Sequence, residues 1–448
     1  MGSGGDIFWS DEHLPLRTVR FEEAFPSIEN LNVSVTEHGE GNQGLGVRHF
    51  GKNSVREFIN CSSVLCSGKG FSLGRLLRTM AKTRRARLHV QKGCESRKES
   101  GTPCENHFDI HIEILYKNPD LRDTLNPMGM LAFLSWHHEW NHYHFPPTSL
   151  QSSAELLKKA GTGTVRMDFL WSDLETAPGV FDWAHYDRII AALRAQSLCV
   201  LGVLHYNPRW RSGPWNQAPQ PNDYLRFVRS VVKHFRSDIR YWEIWNEPDH
   251  PNYWQPQDGL KTYSSLLRIA ADTVRQVDAT AQILLGGLSQ KIPENLRLLY
   301  EQAGSSAFDI VNFHPFVNPL IVGAIDQVKT LCEENLRVMQ AFGDGDKPIW
   351  LTEIGCPGVS SSKPLKEWWL GTNPSETEQA QWVETLYKTF VDWPNVERVF
   401  WAFFRDTPDH FGDGVDAFGV VRENFSLKPA FSSYQAAHKK LMSGRFLS

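Results

Sequence analysis

The sequence predicts an α/β protein: a (β/α)8 TIM barrel preceded by an N-terminal α+β or β-rich accessory module. Three observations lead there. From about residue 126, eight apolar runs recur, the length of buried strands. Amphipathic helical patterns separate them, as expected of parallel strands covered by helices. No glycine-rich phosphate turn follows any run, which argues against an open doubly wound sheet.

Residues 1–125 have a different rhythm. LRTVRFEEAF and IENLNVSVTEHG read as strands, because β-branched and aromatic residues come in near alternation. FSLGRLLRTMAKTRRARLHV reads as a helix running into a strand, and HFDIHIEILYKN as a strand. Between Lys69 and Lys98, ten Lys or Arg stand against one acid, Glu95. That stretch is either a solvated face or a docking surface for a polyanion or partner. Cys61, Cys66, Cys94 and Cys104 are spaced C-x4-C, 27 residues, C-x9-C. Structural zinc, two disulfides and free thiols are all compatible with this spacing. The total of seven cysteines argues against complete pairing. RDTLNPMG then links to residues 126–448, the expected barrel.

The barrel runs are MLAFLSW, TVRMDFLW, CVLGVLHY, RYWEIWNE, QILLGGLS, DIVNFHPF, PIWLTEIG and RVFWAFF. Barrel chemistry sits at the C-terminal ends of strands, so the last residues of each run matter most. Run one ends near Trp136, His137 and His138. Run two carries Arg166 and Asp168 and ends at Trp171. Run three ends at His205 and Tyr206, and run four at Asn246 and Glu247. Run six ends at His314 and run seven at Glu353. Run eight carries Trp401 and ends near Arg405 and Asp406.

Glu247 and Glu353 are carboxylates led in by apolar residues. One such Glu is readily a structural ion-pair partner. Two facing one barrel mouth are what glycoside hydrolysis needs, one to protonate the leaving oxygen and one to meet the anomeric carbon. His137, His138, His142 and His144 are dense, but no Cys or carboxylate spacing completes a zinc motif, so no metal is expected in the barrel and no cofactor is required for catalysis. Trp210 and Trp215, in the long segment after run three, are candidate subsite platforms. GVSSSKPLKEWWLGTNPSE after run seven is a candidate cleft wall.

Composition narrows the partners. Hydrophobic content of 41% and charged content of 22% read as globular. A net charge of −4 implies no general affinity for nucleic acid or anionic membranes. No run approaches the roughly 20 apolar residues of a membrane span. MGSGGDIFWSDEH lacks a basic start and an apolar core, so it reads as no signal peptide and the protein as cytoplasmic unless a leader is missing. Sixteen Trp fit a sugar-binding cleft, although most Trp simply pack.

WNEP, followed about a hundred residues later by WLTEIG, resembles glycoside hydrolase clan A. VRMDFLWSDLETAPGVFDWAHYDRII and YWEIWNEPDHPNYW look most like family 39 segments, and FGVVRENFSLKPAFSSYQAA is similar to the closing helix of many clan members. The resemblance spans roughly residues 128–442. It implies a retaining β-glycosidase acting on oligo- or polysaccharides. Glu247 would be the acid/base, Glu353 the nucleophile, and Asn246 the partner of the sugar 2-OH. Arg166 would keep Glu353 ionised. Trp401 would be a sugar platform, and His314 would stand near the nucleophile. His205, Tyr206, Trp171 and His137 complete the expected substrate contacts. A non-catalytic carbohydrate-binding barrel, or an interaction protein driven by the front module, is the alternative.

Overall fold

The structure is a computed structural model. It describes residues 8–9, 18–39, 42–63, 66, 68–98, 100–139, 141, 143–359, 372–391, 393–407 and 417–443. The chain divides into two compact units: residues 1–120 with 393–397, and residues 121–392 with 398–448.

The second unit is the barrel. Its strands are β1 (Met128–Leu131), β2 (Thr164–Leu170), β3 (Cys199–His205), β4 (Tyr241–Ile244), β5 (Gln282–Leu285), β6 (Val311–Phe313), β7 (Ile349–Ile354) and β8 (Val396–Ala402). They form one sheet in the order β5-β4-β3-β2-β1-β8-β7-β6. Parallel bridges from Leu284 to Ile310 and from Leu288 to Phe313 bring its two edges together. Strands such as TVRMDFL and CVLGVLH are buried at every position, which requires cover on both faces. The helices give that cover: α1 (Leu150–Ala160), α2 (Ala184–Ala195), α3 (Pro221–Phe235), α4 (Lys261–Val277), α5 (Ile292–Ala303), α6 (Ala324–Ala341), α7 (Glu376–Phe390) and α8 (Pro429–Met442).

Local signals set the helix ends. Pro221 and Pro429 open α3 and α8, where a missing N–H costs nothing. Ser375 and Glu378 form a reciprocal capping box on α7. Gly161 ends α1 at φ 98°, a conformation that favours glycine.

Run one is shorter than expected. The strand stops at Leu131, and Trp136, His137 and His138 lie on the loop beyond it. Polar ends carry runs four and six past their strands too, since Asn246, Glu247 and His314 follow their last paired residue.

The first unit is an antiparallel four-stranded sheet of Asn42–Gly51, Ile28–Gly39, His107–Tyr116 and Arg87–Gly93, in that spatial order. Helix Leu73–Thr83 buries Leu73, Leu76, Leu77 and Met80 in its core. FEEA, expected within a strand, is a helical turn at Phe21–Ala24. Phe21 and Phe25, four apart, thereby share a face and pack edge-on against Phe8. Among the basic residues, Arg78 pairs with Glu57 at 2.6 Å and Arg75 with Glu95 at 3.8 Å. These pairs remove part of the unbalanced charge read from the sequence.

Candidate active site

Arg166, inside β2, organises the mouth. It is 1% exposed. Its Nε and Nη2 donate to both oxygens of Glu243 at 2.7 and 2.9 Å. Nη1 donates to Glu353 Oε1 at 2.6 Å, and Nη2 also reaches Asn246 Oδ1 at 2.8 Å. One guanidinium thus ties the ends of β2, β4 and β7 together. Because Arg only donates, Asn246 must turn its oxygen inward, which leaves its Nδ2 to donate elsewhere. Glu243 was missed in the sequence, although a Glu within an apolar strand is itself a signal.

Glu247 belongs to a second chain of bonds. His314 Nδ1 lies 2.8 Å from Glu247 Oε1, and His314 Nε2 lies 3.0 Å from Thr352 Oγ1. Thr352 Oγ1 donates to Asn312 Oδ1 at 2.7 Å, and Asn312 Nδ2 donates to the Leu285 carbonyl at 3.3 Å. The direction follows from the last link. A carbonyl accepts only, so Asn312 presents its oxygen to Thr352, whose hydroxyl proton is then used. Thr352 can therefore only accept from His314, which places a proton on Nε2. Burial pushes the His314 imidazole below its usual range, so it is neutral and Nδ1 is bare. The short contact to Glu247 then needs the proton on Glu247.

The carboxyl environment agrees. Burial, with the nearby Asp249 carboxylate adding to it, pushes Glu247 up to about 7. Burial raises the Glu353 carboxyl as well, opposed by His314 and Arg166. One oxygen of each Glu and one nitrogen of His314 lie within 4.8 Å of one another. Backbone strain is present here too: Tyr206, Trp245 and Glu247 take φ of 55°, 68° and 43°. Such non-glycine left-handed residues cost about 1–3 kcal/mol each and cluster at functional sites. Gly287 answers a packing need, since a Cβ there would meet His314 Nε2 at 2.0 Å.

The other expected residues separate into groups. His205 Nε2 lies 3.1 Å from Asp168 Oδ1, and the His205 ring stacks on Tyr206 at 3.8 Å. Trp136 Nε1 donates to Asp168 Oδ2 at 2.5 Å. Burial works to raise Asp168, but His205, Arg166 and this N–H hold it below its usual range. Tyr206 meets Trp215 edge-on at 4.6 Å, and Trp215 is 48% exposed. Trp401, expected as a sugar platform, is instead fully buried and presents no face to the cleft, its indole N–H donating to the Phe418 carbonyl at 2.9 Å.

Trp171 requires a correction. The sequence reading puts it against substrate, but it has no exposed surface. Its ring stacks on Phe227 at 5.2 Å, and its N–H is taken by Glu175 at 2.6 Å. Phe227 covers one face, and Trp210 and Tyr224 meet the ring edge-on. Arg405 lies over the rings of Phe145 and Phe425, while Asp406 pairs with Lys428 at 3.1 Å.

Two clusters of metal-ligand type were not expected in the barrel. Glu247, His314 and Glu353 form one. His137 and His138 with Asp173 form the other. Asp173 follows β2, so no local spacing announced it. His142 and most of GVSSSKPLKEWWLGTNPSE lie outside the described residues. In the first unit, Cys61, Cys66, Cys94 and Cys104 converge, their sulfurs within 4.8 Å of one another, and can hold a metal ion.

A parallel eight-stranded barrel with two buried carboxyl groups at the ends of β4 and β7 is the architecture of the clan A glycoside hydrolases. Residues 127–403 match the family model described as Cellulase (glycosyl hydrolase family 5). The chain belongs to that family. It is 23% identical over 278 residues to the anti-sigma-I factor RsgI6 of Acetivibrio thermocellus, covering 59% of this chain and 32% of that protein. It is 22% identical over 201 residues to endoglucanase C of the same organism, covering 42% and 56%. The chain thus spans between a third and about half the length of these relatives. A family 39 glycoside hydrolase from Bacteroides cellulosilyticus WH2 superposes with a TM-score of 0.54 and 18% identity, over 92% of this chain and 77% of that one. At that identity the likeness shows the fold. The family assignment is 5, where the sequence segments had resembled 39.

Proposed function

We propose that the protein is a retaining glycosidase that cleaves β-linked O-glycosidic bonds in oligo- or polysaccharides. The supporting observation is the asymmetry between two close carboxyl groups. Glu353 faces a permanent cation, Arg166, and Glu247 faces a neutral imidazole. Their nearest oxygens lie within 4.8 Å, near the ~5–5.5 Å of retaining enzymes and short of the ~6.5–9.5 Å of inverting ones.

Glu353 is the nucleophile. Arg166 occupies Oε1, so Oε2 attacks the anomeric carbon as the bond to the leaving oxygen breaks. Glu247 supplies the proton to that oxygen. At rest this proton is on Oε1 against His314, and a half-turn of the carboxyl group directs it into the cleft. Glu247, now ionised, then takes a proton from water as the water attacks the anomeric carbon and frees Glu353. Asn246 Nδ2 donates to the sugar 2-OH, a contact that strengthens in the transition state. Trp215, with Tyr206 beneath its edge, is a subsite platform.

An activated 2-deoxy-2-fluoro β-glycoside, followed by peptide mass spectrometry, tests this reading. A stable adduct on Glu353 is the expected result. An adduct on another residue reassigns the nucleophile.

A further inference from the structure

We propose that Cys61, Cys66, Cys94 and Cys104 bind one zinc ion as a tetrahedral four-thiolate site in the first unit, independent of the barrel chemistry. Zinc–thiolate bonds of about 2.3 Å at tetrahedral angles put neighbouring sulfurs about 3.8 Å apart. Cys61 and Cys104 Sγ are 3.8 Å apart, and Cys66 and Cys94 Sγ are 3.5 Å apart. All four sulfurs lie within 4.8 Å of one another. A disulfide needs about 2.0 Å. No pair approaches that, and the four sulfurs form one group rather than two couples.

Backbone N–H groups of Ser63, Gly68 and Ser96, each two residues downstream, favour negative sulfur at Cys61, Cys66 and Cys94 and oppose the burial that pushes the Cys61 and Cys94 thiols up. Repeated three times, this is a cradle for negative sulfur. Asn106 Nδ2 adds a donor to Cys61 Sγ at 3.4 Å. Ligated histidines and thiolates commonly have such outer partners, which orient them and tune their charge. Glu37 lies 3.3 Å from Cys61 Sγ, and Arg48 matches its charge at 3.1 Å.

Two loops carry the ligands. Cys61 and Cys66 lie between strands Phe58–Asn60 and Lys69–Ser72. Cys94 and Cys104 lie between Arg87–Gly93 and His107–Tyr116. Cys94 N–H bonds to Asn106 O at 2.8 Å, Cys104 N–H to Ser96 O at 3.1 Å, and Cys66 bridges to Lys98. These bonds hold the ligand residues in place, so the ion meets a formed site. Four thiols and one zinc dication give a dianionic zinc tetrathiolate centre and four protons, with nothing oxidised or reduced. The ion joins the ends of four strands, which a small module needs more than a large barrel does.

The test uses the full chain, purified under reducing conditions without added metal. Elemental analysis should find one zinc per chain in the wild type and in Cys332→Ser. The Cys66→Ser/Cys94→Ser variant should hold less than a tenth of that. Wild-type protein, denatured in chelator without reductant and then alkylated, should take up seven labels, one for each free cysteine. If the double variant fails to fold, release of one zinc per wild-type chain by a mercurial reagent reads the same site. Metal-free protein overturns the proposal, as does iron in place of zinc. So does a mass four daltons low with only three labels, which means two disulfides. Zinc retained in full by the double variant and lost in His138→Ala also overturns it.

Discussion

His314 Nδ1 and Glu247 Oε1 are 2.8 Å apart, and the imidazole is the acceptor. This follows from the chain Leu285–Asn312–Thr352–His314, in which each proton is already committed. Glu247, raised to about 7, works as an acid only while protonated. Activity therefore falls as pH rises through about 7, read as the alkaline limb of kcat/KM, while the acid limb belongs to Glu353, which attacks only when ionised. Thr352→Val removes the partner that holds the proton on Nε2. His314 can then donate from Nδ1 to the Glu247 carboxylate, which favours the anion. The alkaline limb should move down by about one unit, the worth of about one hydrogen bond of 1–1.5 kcal/mol. An unmoved limb would show that the tautomer is set elsewhere.

Glu247→Ala separates the acid from the nucleophile. Loss of general acid help should cost about 10²–10⁴ in kcat/KM on substrates with poor leaving groups. Phenolates of low pKa leave unaided, so aryl glycosides bearing them should lose far less. A series of aryl glycosides measures this, and equal losses along the series would remove Glu247 from the acid role.

Arg166→Met tests the tie across β2, β4 and β7. It leaves Glu243, which is 0% exposed, without its bidentate partner. Removing one member of a buried ion pair costs about 3–5 kcal/mol, so the urea midpoint should fall steeply. Adding Glu243→Gln removes the orphaned charge and should recover part of the loss. No recovery in the double variant would mean that Glu243 is not what Arg166 stabilises.

The barrel was legible because eight largely apolar runs alternate with helices, and the lack of a glycine-rich phosphate turn argued against the open sheet that such runs can also form. The positions of Glu247, Glu353, Arg166 and His314 were legible for the same reason: residues at the ends of neighbouring runs must meet. Partnerships were less so. Thr352 sits one residue before Glu353, and nothing local marks it as the acceptor for His314. Asp173 joins His137 and His138 from a different run. Trp171 and Trp215 look alike in sequence, yet one is sealed by Phe227 and the other is half open. Composition counts aromatic rings but does not say which way they face. FEEA failed as a strand because Phe21 and Phe25 pack at helical spacing, a period visible only over five residues.

Trp215 gives the last prediction. Its ring is 48% exposed and is set by Tyr206 at 4.6 Å and Tyr253 at 6.3 Å. Tyr206 and Tyr253 are themselves close enough to Glu247 and Glu353 for those carboxylates to push both phenols upward, on top of the larger effect of burial. A half-exposed ring, held by two partly buried ones that lie near the reacting carboxylates, suits stacking against a sugar face. Stacking on a ring away from the broken bond is the same in ground and transition states, so it acts on KM. Trp215→Ala should raise KM about tenfold, equivalent to about 1.4 kcal/mol, with kcat within about twofold. Trp215→Phe should restore most of the affinity. Steady-state kinetics on an oligosaccharide and on a monosaccharide aryl glycoside locate the platform. A loss confined to the oligosaccharide places Trp215 beyond the reacting sugar, and a fall in kcat with KM unchanged would remove it from the role of a binding platform.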